Sequence, residues 1–408
     1  MMQITQRPMS ALSTRAVFLA IVVFCGGCDL TVTNPGPIQD SQLNTASALA
    51  PLVNGMSGDL SFALGDYLDR EAIATDELTN AGNFTPENFY SAGVIRPEDD
   101  ITDWANMQSA RWSAENGLTR MQKVRGAAFE TDTITPWAYL WAGYANRLLG
   151  ENACTAVIDG GPPESDSVYF ARADSLFTRA FTLAQALKKP TVQSAALGGR
   201  ASVRAAQGNW TGAVTDAAQV PTSFVFNAIF STNTTRENNA LVARTVSARI
   251  VSVYGTVYAK TRSDPRTPWD TVKTAAGGVQ VGQNGSTPYF VQKKYPTLGS
   301  LVPLTKGTEM LLIRAEAALR NGDVAGTMAL INQERASYGM APLAATTGAA
   351  AETILQSERG AVLWLEGRRL WDLRRWQADG TNTFLNGRAS CLPPSSTEQA
   401  ANPNFHTQ

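Results

Sequence analysis

One turn occurs twice in this chain, and it narrows the choice of fold more than any other feature. The stretch Ala205-Ala206-Gln207-Gly208-Asn209-Trp210-Thr211-Gly212-Ala213 is echoed by Ala318-Leu319-Arg320-Asn321-Gly322-Asp323-Val324-Ala325-Gly326-Thr327. In each copy an Ala-rich segment stops at Gly, the residue best suited to the backbone reversal at a helix end. Asn or Asp then caps a following helix, and small residues come next. This is the turn chemistry of a helical hairpin, of the kind repeated in tetratricopeptide arrays. Two copies with helical segments on either side imply a scaffold of packed hairpins.

Apolar spacing extends the helical reading along most of the chain. Leu43, Leu49, Val53 and Leu60 predict a helix over Ser41 to Leu64; Trp104, Met107, Trp112, Leu118 and Met121 predict another over Ile101 to Val124. Thr135-Pro136 opens a helix from Trp137 to Cys154, since Pro suits a first turn and Thr can cap it. Two more are expected over Ser167 to Leu187 and Thr191 to Gln207. Pro221 to Pro303 breaks the pattern. It is rich in Asn, Thr, Gly and Pro, with strand-like pieces at Val279 to Val281 and Tyr289 to Val291. So long a segment usually carries function. Asn80 to Asp100 is a second irregular stretch.

The N-terminus reads as a targeting signal. Arg7 and Arg15 precede the apolar run Ala16 to Phe24, which is short of the ~20 residues needed to span a bilayer. Gly26-Gly27 before Cys28 resembles a lipobox, so residues 1–27 are expected to be removed and Cys28 acylated. An ordinary cleaved signal with an incidental cysteine is the alternative. Several acyl chains, at ~0.8 kcal/mol per buried methylene, suffice as an anchor. Residues 28–40, rich in Thr, Asn, Pro and Gly, read as a tether, leaving residues 41–408 as the folded body.

Composition excludes much chemistry. A net charge of -1 with no basic block gives no reason to expect a nucleic-acid partner. His406 is the chain's one histidine, so a histidine-based zinc site is ruled out, and a catalytic triad has to recruit a tail residue. Outside the signal two cysteines remain, Cys154 and Cys391. In an oxidising compartment they either form one disulfide or stay as buried thiols.

Two C-terminal blocks carry a resemblance. Thr308-Glu309-Met310-Leu311-Leu312-Ile313-Arg314-Ala315-Glu316-Ala317 leads through the second turn to Asn332-Gln333-Glu334-Arg335, then Tyr338-Gly339 and Pro342-Leu343. Glu358-Arg359-Gly360-Ala361 leads to Trp364-Leu365-Glu366-Gly367-Arg368-Arg369-Leu370-Trp371-Asp372-Leu373-Arg374-Arg375-Trp376. Pro393-Pro394 and Ala401-Asn402-Pro403-Asn404 follow. Over residues 305–408 the chain resembles the SusD/RagB family of nutrient-binding outer-membrane lipoproteins. Asn34-Pro35-Gly36 and Ala74-Thr75-Asp76-Glu77 agree with it. The resemblance implies a predominantly α fold of tetratricopeptide-like hairpins with long irregular loops and minor β. It also implies a surface lipoprotein without cofactor or catalysis, handing a glycan or other oligomer to a TonB-dependent SusC-type channel.

In the second block, Leu363, Leu370 and Leu373, with Trp364 and Trp371, form apolar rows if the segment is one helix. Glu366 is then placed to pair with Arg374, and Asp372 with Arg368 or Arg375. That favours a structural role. Ligand binding is assigned instead to aromatics of the irregular segments, because sugars offer apolar ring faces beside hydroxyls. One set is Phe84, Tyr90 and Trp104 with Asp76 and Asn80; the other is Trp269, Tyr289 and Tyr295. Ordinary packing is the alternative for each ring. Two other classes stay open: a carboxylate-based glycoside hydrolase using a pair such as Asp76 and Glu77, and a helical scaffold that holds another protein at the membrane.

Overall fold

The computed structural model describes residues 40–100 and 102–405. Cys28, the proposed signal and most of the tether lie outside these residues, as does His406. Residues 1–43 form one unit, of which only the start of a 3-10 turn at Asp40–Asn44 is described. The body is the second unit, residues 44–408.

Helices dominate it, as the spacing predicts. In chain order they are α1 (Leu49–Ala74), α2 (Thr85–Ser91), α3 (Asp103–Arg125), α4 (Thr135–Asn152), α5 (Ser167–Ala186), α6 (Pro190–Ala206) and α7 (Trp210–Ala217). After a long non-helical stretch come α8 (Gly307–Arg320), α9 (Val324–Ser337), α10 (Gly348–Val362), α11 (Arg369–Ala378) and α12 (Ser396–Ala401). Two expectations need correction. The first helix starts later and runs ten residues past Leu64, because its second half buries Tyr67, Leu68, Asp69, Arg70 and Glu71 together. Its charges are paired internally, so polarity there does not mark an end. The stretch from Asn80 to Asp100 is not wholly irregular either: α2 sits inside it, with Pro86 in its first turn.

Both copies of the turn build helical hairpins, α6–α7 and α8–α9. Gly208 and Gly322 adopt φ of 76° and 78°. The Asn209 side chain then accepts from Gly212 N at 3.0 Å, and Asp323 accepts from Gly326 N at 2.8 Å. A Cβ at Gly212 or Gly326 comes within 2.7 Å and 2.1 Å of those capping side chains, which explains the small residue four positions after each glycine. One apolar cluster joins the hairpins through Leu197, Ala201, Ala213, Met310 and Ile313; another packs α8, α9 and α10 through Leu312, Met328, Ile331 and Leu355.

Helix α4 lies at the centre, packed against α1, α3, α5 and α6. Nearly all its residues are buried, and Gly143 and Gly150 leave room for the rings of Phe177 and Phe170. The strands form four two-stranded antiparallel ribbons: β1 (Thr79–Asn80) with β5 (Val251–Ser252), β2 (Thr155–Ala156) with β3 (Glu164–Ser165), β4 (Val225–Ala228) with β8 (Val302–Lys306), and β6 (Trp269–Thr271) with β7 (Phe290–Gln292). Val279 and Val281 make only isolated bridges, and the second strand-like piece is β7, shifted by one residue. No described helix is long and apolar enough to cross a membrane.

Cys154, just after α4, is disulfide-bonded to Cys391, with Cα atoms 5.0 Å apart. Backbone bonds from Cys154 N to Leu392 O (2.9 Å) and Leu392 N to Asn152 O (2.7 Å) fasten the C-terminal segment at the same point. The bridge spans 237 residues, so its removal frees a very long loop in the unfolded chain. A Cys154→Ala/Cys391→Ala variant is expected to lose about 2–4 kcal/mol of stability in denaturant unfolding. Reducing agent should then shift the midpoint of the wild type and leave that of the variant in place.

Candidate functional site

The segment rich in Trp, Arg and acids turns out to hold the fold together. Helix α10 ends at Val362 and α11 starts at Arg369, so Leu363 to Arg368 form an elbow and not part of one helix. Leu365 (φ 58°) and Gly367 (φ 69°) turn the chain left-handed. A Cβ at Gly367 lies 3.1 Å from Leu64 and 3.2 Å from Leu68. Leu365 has a side chain, and its conformation is held by a hydrogen bond from its N to Glu77 Oε1 at 3.0 Å. The elbow removes the expected Glu366–Arg374 pairing. Glu366 instead accepts from Lys294 at 2.7 Å and Lys306 at 2.6 Å, while Arg374 pairs with Asp166 at 2.7 Å. Asp372 pairs with Arg359 at 2.7 Å and Arg375 at 3.1 Å, and Arg368 goes to Glu151 (2.9 Å) and Glu309 (3.1 Å). Burial pushes Glu309 and Asp372 upward, but the arginines outweigh it and hold both carboxyls below their ordinary values.

The pair Asp76 and Glu77 does not face a cleft. Asp76 takes both Nε and Nη2 of Arg369, each at 2.7 Å. Glu77 is completely buried against the elbow. Beside it, Glu71 Oε1 accepts from Leu370 N at 2.6 Å in the first turn of α11. The Oε2 atoms of both carboxyls are buried without a hydrogen-bond partner, which favours the protonated acid over the buried charge. Burial pushes Glu77 well up and Glu71 up to about 7. These carboxyls cap backbone.

The structure packs most of the candidate aromatics inside. Tyr90 and Trp104 are 0% and 1% exposed, and the Tyr90 hydroxyl donates to Asp103 at 3.3 Å. Tyr289 and Tyr295 are 2% exposed; their hydroxyls donate to Thr245 O and Leu365 O. Trp269 shows only an edge, and its Nε1 donates to Tyr258 O at 3.1 Å. In a Gly- and Pro-rich segment these rings are the main apolar anchors available, so burial claims them and withdraws their faces from solvent. Phe84 is half exposed. Asn80 donates to Asn88 at 2.7 Å.

The two irregular segments do meet. Thr79 pairs with Ser252 and Asn80 with Val251 across the β1–β5 ribbon, and Ala81 N donates to Ile250 O at 2.8 Å. Thr79 Oγ1 donates to Tyr254 O at 2.7 Å, and Asn83 Nδ2 to Gln283 O at 3.2 Å. At this junction Tyr254, 42% exposed, stands edge-on to Phe290 at 5.2 Å. Phe290 in turn stacks on Trp269 at 4.7 Å with the rings 2° from parallel. Arg262 lies 5.1 Å over Trp269 and pairs with Asp270. The result is an aromatic ledge with polar side chains beside it. Tyr254 and Phe290 are absent from the sequence-derived set. Tyr254 precedes Gly255 in a turn, and nothing local reveals that Phe290 arrives next to it.

Next to the ledge, on the same segment, is a polar cavity of about 350 Å³. Arg266 crosses its floor to Asp264 (2.7 Å), Glu358 (2.6 Å) and Glu334 (3.0 Å); Arg335 meets Glu358 at 2.6 Å. Burial pushes Glu334 up to about 7, against the pull of Arg266. Among the described residues no three His, Cys, Asp or Glu side chains are grouped to hold a metal ion.

The Glu71–Glu77 pair makes a pH test. Glu71 titrates higher in the folded chain than in the unfolded one. Its stabilising contribution is therefore full below about 4.5 and lost as pH rises through about 7. Glu71→Gln, which keeps the acceptor for Leu370 N, is expected to flatten that fall and to be more stable than wild type at pH 8, by on the order of 1–3 kcal/mol. Thermal unfolding across pH 4.5–8 measures it; parallel pH profiles refute the raised titration of Glu71.

Comparison with known proteins follows the same lines. Residues 248–407 match the model of the SusD family. A SusD superfamily protein from Bacteroides thetaiotaomicron shares the fold at a TM-score of 0.66 and 15% identity, over 90% of this chain and 98% of its own. A putative sugar binding protein from Bacteroides vulgatus matches at 0.66 and 14% identity, over 89% and 98%. A laminarin binding SusD-like protein matches at 0.66 and 14%, over 86% and 99%. No curated protein sequence matches the chain. The family pattern thus covers residues 248–407, and a SusD-like fold extends over most of the chain.

Proposed function

We propose that this protein is a lipid-anchored outer-membrane surface protein that binds a glycan and passes it to a TonB-dependent SusC-type channel, without catalysing a reaction. The observation that carries the reading is the ledge of Tyr254 and Phe290, backed by the buried Trp269, where the two irregular segments join. A sugar ring lays its C–H face on an aromatic and turns its hydroxyls to polar neighbours. Asn80, Asn83 and Asn88 of the joined segments supply polar side chains, and Phe84 is half exposed. The laminarin binding relative supports a sugar as the ligand class. Cys28 supplies the anchor, residues 28–40 the tether, and 41–408 the binding body.

The channel partner rests on family likeness and the anchor on the lipobox. Co-purification from outer membranes with a large β-barrel transporter tests the first; release into the soluble fraction by Cys28→Ala tests the second. The non-enzymatic reading fits the committed state of Asp76 and Glu77, and turnover of any glycan by the pure protein refutes it.

For the ledge, Tyr254→Ala and Phe290→Ala are expected to weaken binding to the best glycan of an array screen by about ten-fold or more. Tyr254→Ala should cost little thermal stability, because that residue is 42% exposed and outside the buried core. Unaltered affinity in both variants, measured calorimetrically, removes the ledge from the ligand site.

A further inference from the structure

We infer that the cavity beside the ledge takes the acidic end unit of an oligosaccharide, a uronate, with Lys260 as the cation that receives its carboxylate; this rests on the ledge as the glycan site. The cavity has a buried floor and an exposed rim. On the floor, Arg266, Arg335 and Arg369 are 6%, 9% and 7% exposed. Each is already matched: Arg266 by Asp264, Glu334 and Glu358, Arg335 by Glu358, and Arg369 by Asp76. Such a floor is rigid and offers a ligand little new ion pairing.

The rim is different. Lys260, Ser263 and Ser357 line the cavity, are exposed, and form no side-chain hydrogen bond or ion pair with any described residue. Tyr258, only 5% exposed, also lines the cavity, and its hydroxyl forms no hydrogen bond with any described residue. Uncommitted donors therefore converge on one space: an ammonium, two alcohols and a phenol. A sugar hydroxyl pairs with the last three, and a single carboxylate with the first. Among the cations that line the cavity, Lys260 alone has no carboxylate partner among the described residues.

Size and position agree with an end unit. About 350 Å³ lies at the small end of ligand pockets, which run from ~300 to 1,000 Å³, and has room for one or two sugar rings. Ledge and cavity share one stretch of chain. Tyr258 accepts the Trp269 indole N–H through its carbonyl and also lines the cavity, while Arg262 over Trp269 lies between Thr261 and Ser263 of the rim in sequence. An oligomer lying on the ledge can thus drop its terminal unit into the cavity.

The test uses the detergent-solubilised full-length protein and a panel of linear uronate trisaccharides of different linkage, each beside its carboxyl-reduced neutral counterpart. At least one uronate is expected to bind about ten-fold or more tightly than its counterpart, with the difference shrinking at high salt. Lys260→Ala should abolish that preference while keeping the neutral affinity, and Lys260→Arg should retain it. Lys260 is exposed and unpaired, so neither change threatens folding. Tyr254→Ala should weaken acid and neutral forms equally. Absence of binding across the panel, equal binding of acid and neutral forms, or a preference that survives Lys260→Ala overturns the assignment. If Lys260→Ala is silent and Tyr254→Ala still weakens binding, the cavity falls and the ledge stands. If Tyr254→Ala is silent too, both fall.

Discussion

Arg147, Arg359, Arg368 and Arg375 are enclosed in this protein together with Glu151, Glu309, Glu316 and Asp372, and each of these eight groups is at most 10% exposed at its side chain. A charge in a protein interior is tolerated only when it is matched. Here four cations face four anions drawn from four helices: α4 gives Arg147 and Glu151, α8 gives Glu309 and Glu316, α10 gives Arg359, and α11 gives the rest with the residue before it. No pair of these helices can slide by a turn without stranding a charge. An apolar core of the same volume can be equally stable, so what the network adds is register. It fixes where the second hairpin sits on α4, and it fixes the direction in which the chain leaves α10.

That direction decides the elbow, and the elbow reaches into the ligand-facing side. Glu366 at its tip binds Lys294 and Lys306, and Tyr295 donates to Leu365 O at 3.2 Å. Lys294 and Tyr295 belong to the long stretch with little helix. Their bonds, with Gln292 donating to Tyr295 O and Thr245 Oγ1, tie that stretch to the helical scaffold. A loop segment of this length has few backbone partners of its own. It keeps one shape because buried aromatics and a handful of side-chain bonds hold it at intervals. Tyr254 can stay exposed, with Phe290 half-buried behind it, because Tyr289, Tyr295 and Trp269 supply the anchoring.

Helices were legible in the sequence wherever a polar face met solvent, because the 3.6-residue period survives there; α3, α5 and α6 lie within about two residues of their expected ends. The paired hairpin turns were legible for a different reason: the Gly–Asn/Asp–x–x–Gly spacing is required by the cap geometry itself. The elbow was not, since Leu363, Leu370 and Trp371 keep helical spacing through it and Gly367 alone hints at a break. What bends the chain is a carboxyl almost three hundred residues away, Glu77 on Leu365 N. The ligand surface was half legible. Both irregular segments were picked out by composition, and they meet through β1 and β5. Which of their rings face water depends on what the helices leave uncovered, and composition does not carry that.

The same separation explains why the acids and arginines of the C-terminal blocks are poor places to look for chemistry. A group that reacts or recognises must have a free valence toward solvent: a lone pair, a proton or a charge not already satisfied. Asp76, Glu77, Asp372 and Arg368 spend theirs on one another and on backbone. Along the ledge and the cavity rim the reverse holds. Tyr254 is exposed, while Lys260 and Ser263 have no side-chain partner among the described residues, and these residues sit on loops that contribute little to the register of the helices. Ligand chemistry can therefore vary there without disturbing the charged core, whereas a change inside the core shifts the elbow and with it the loop on which the ledge is built.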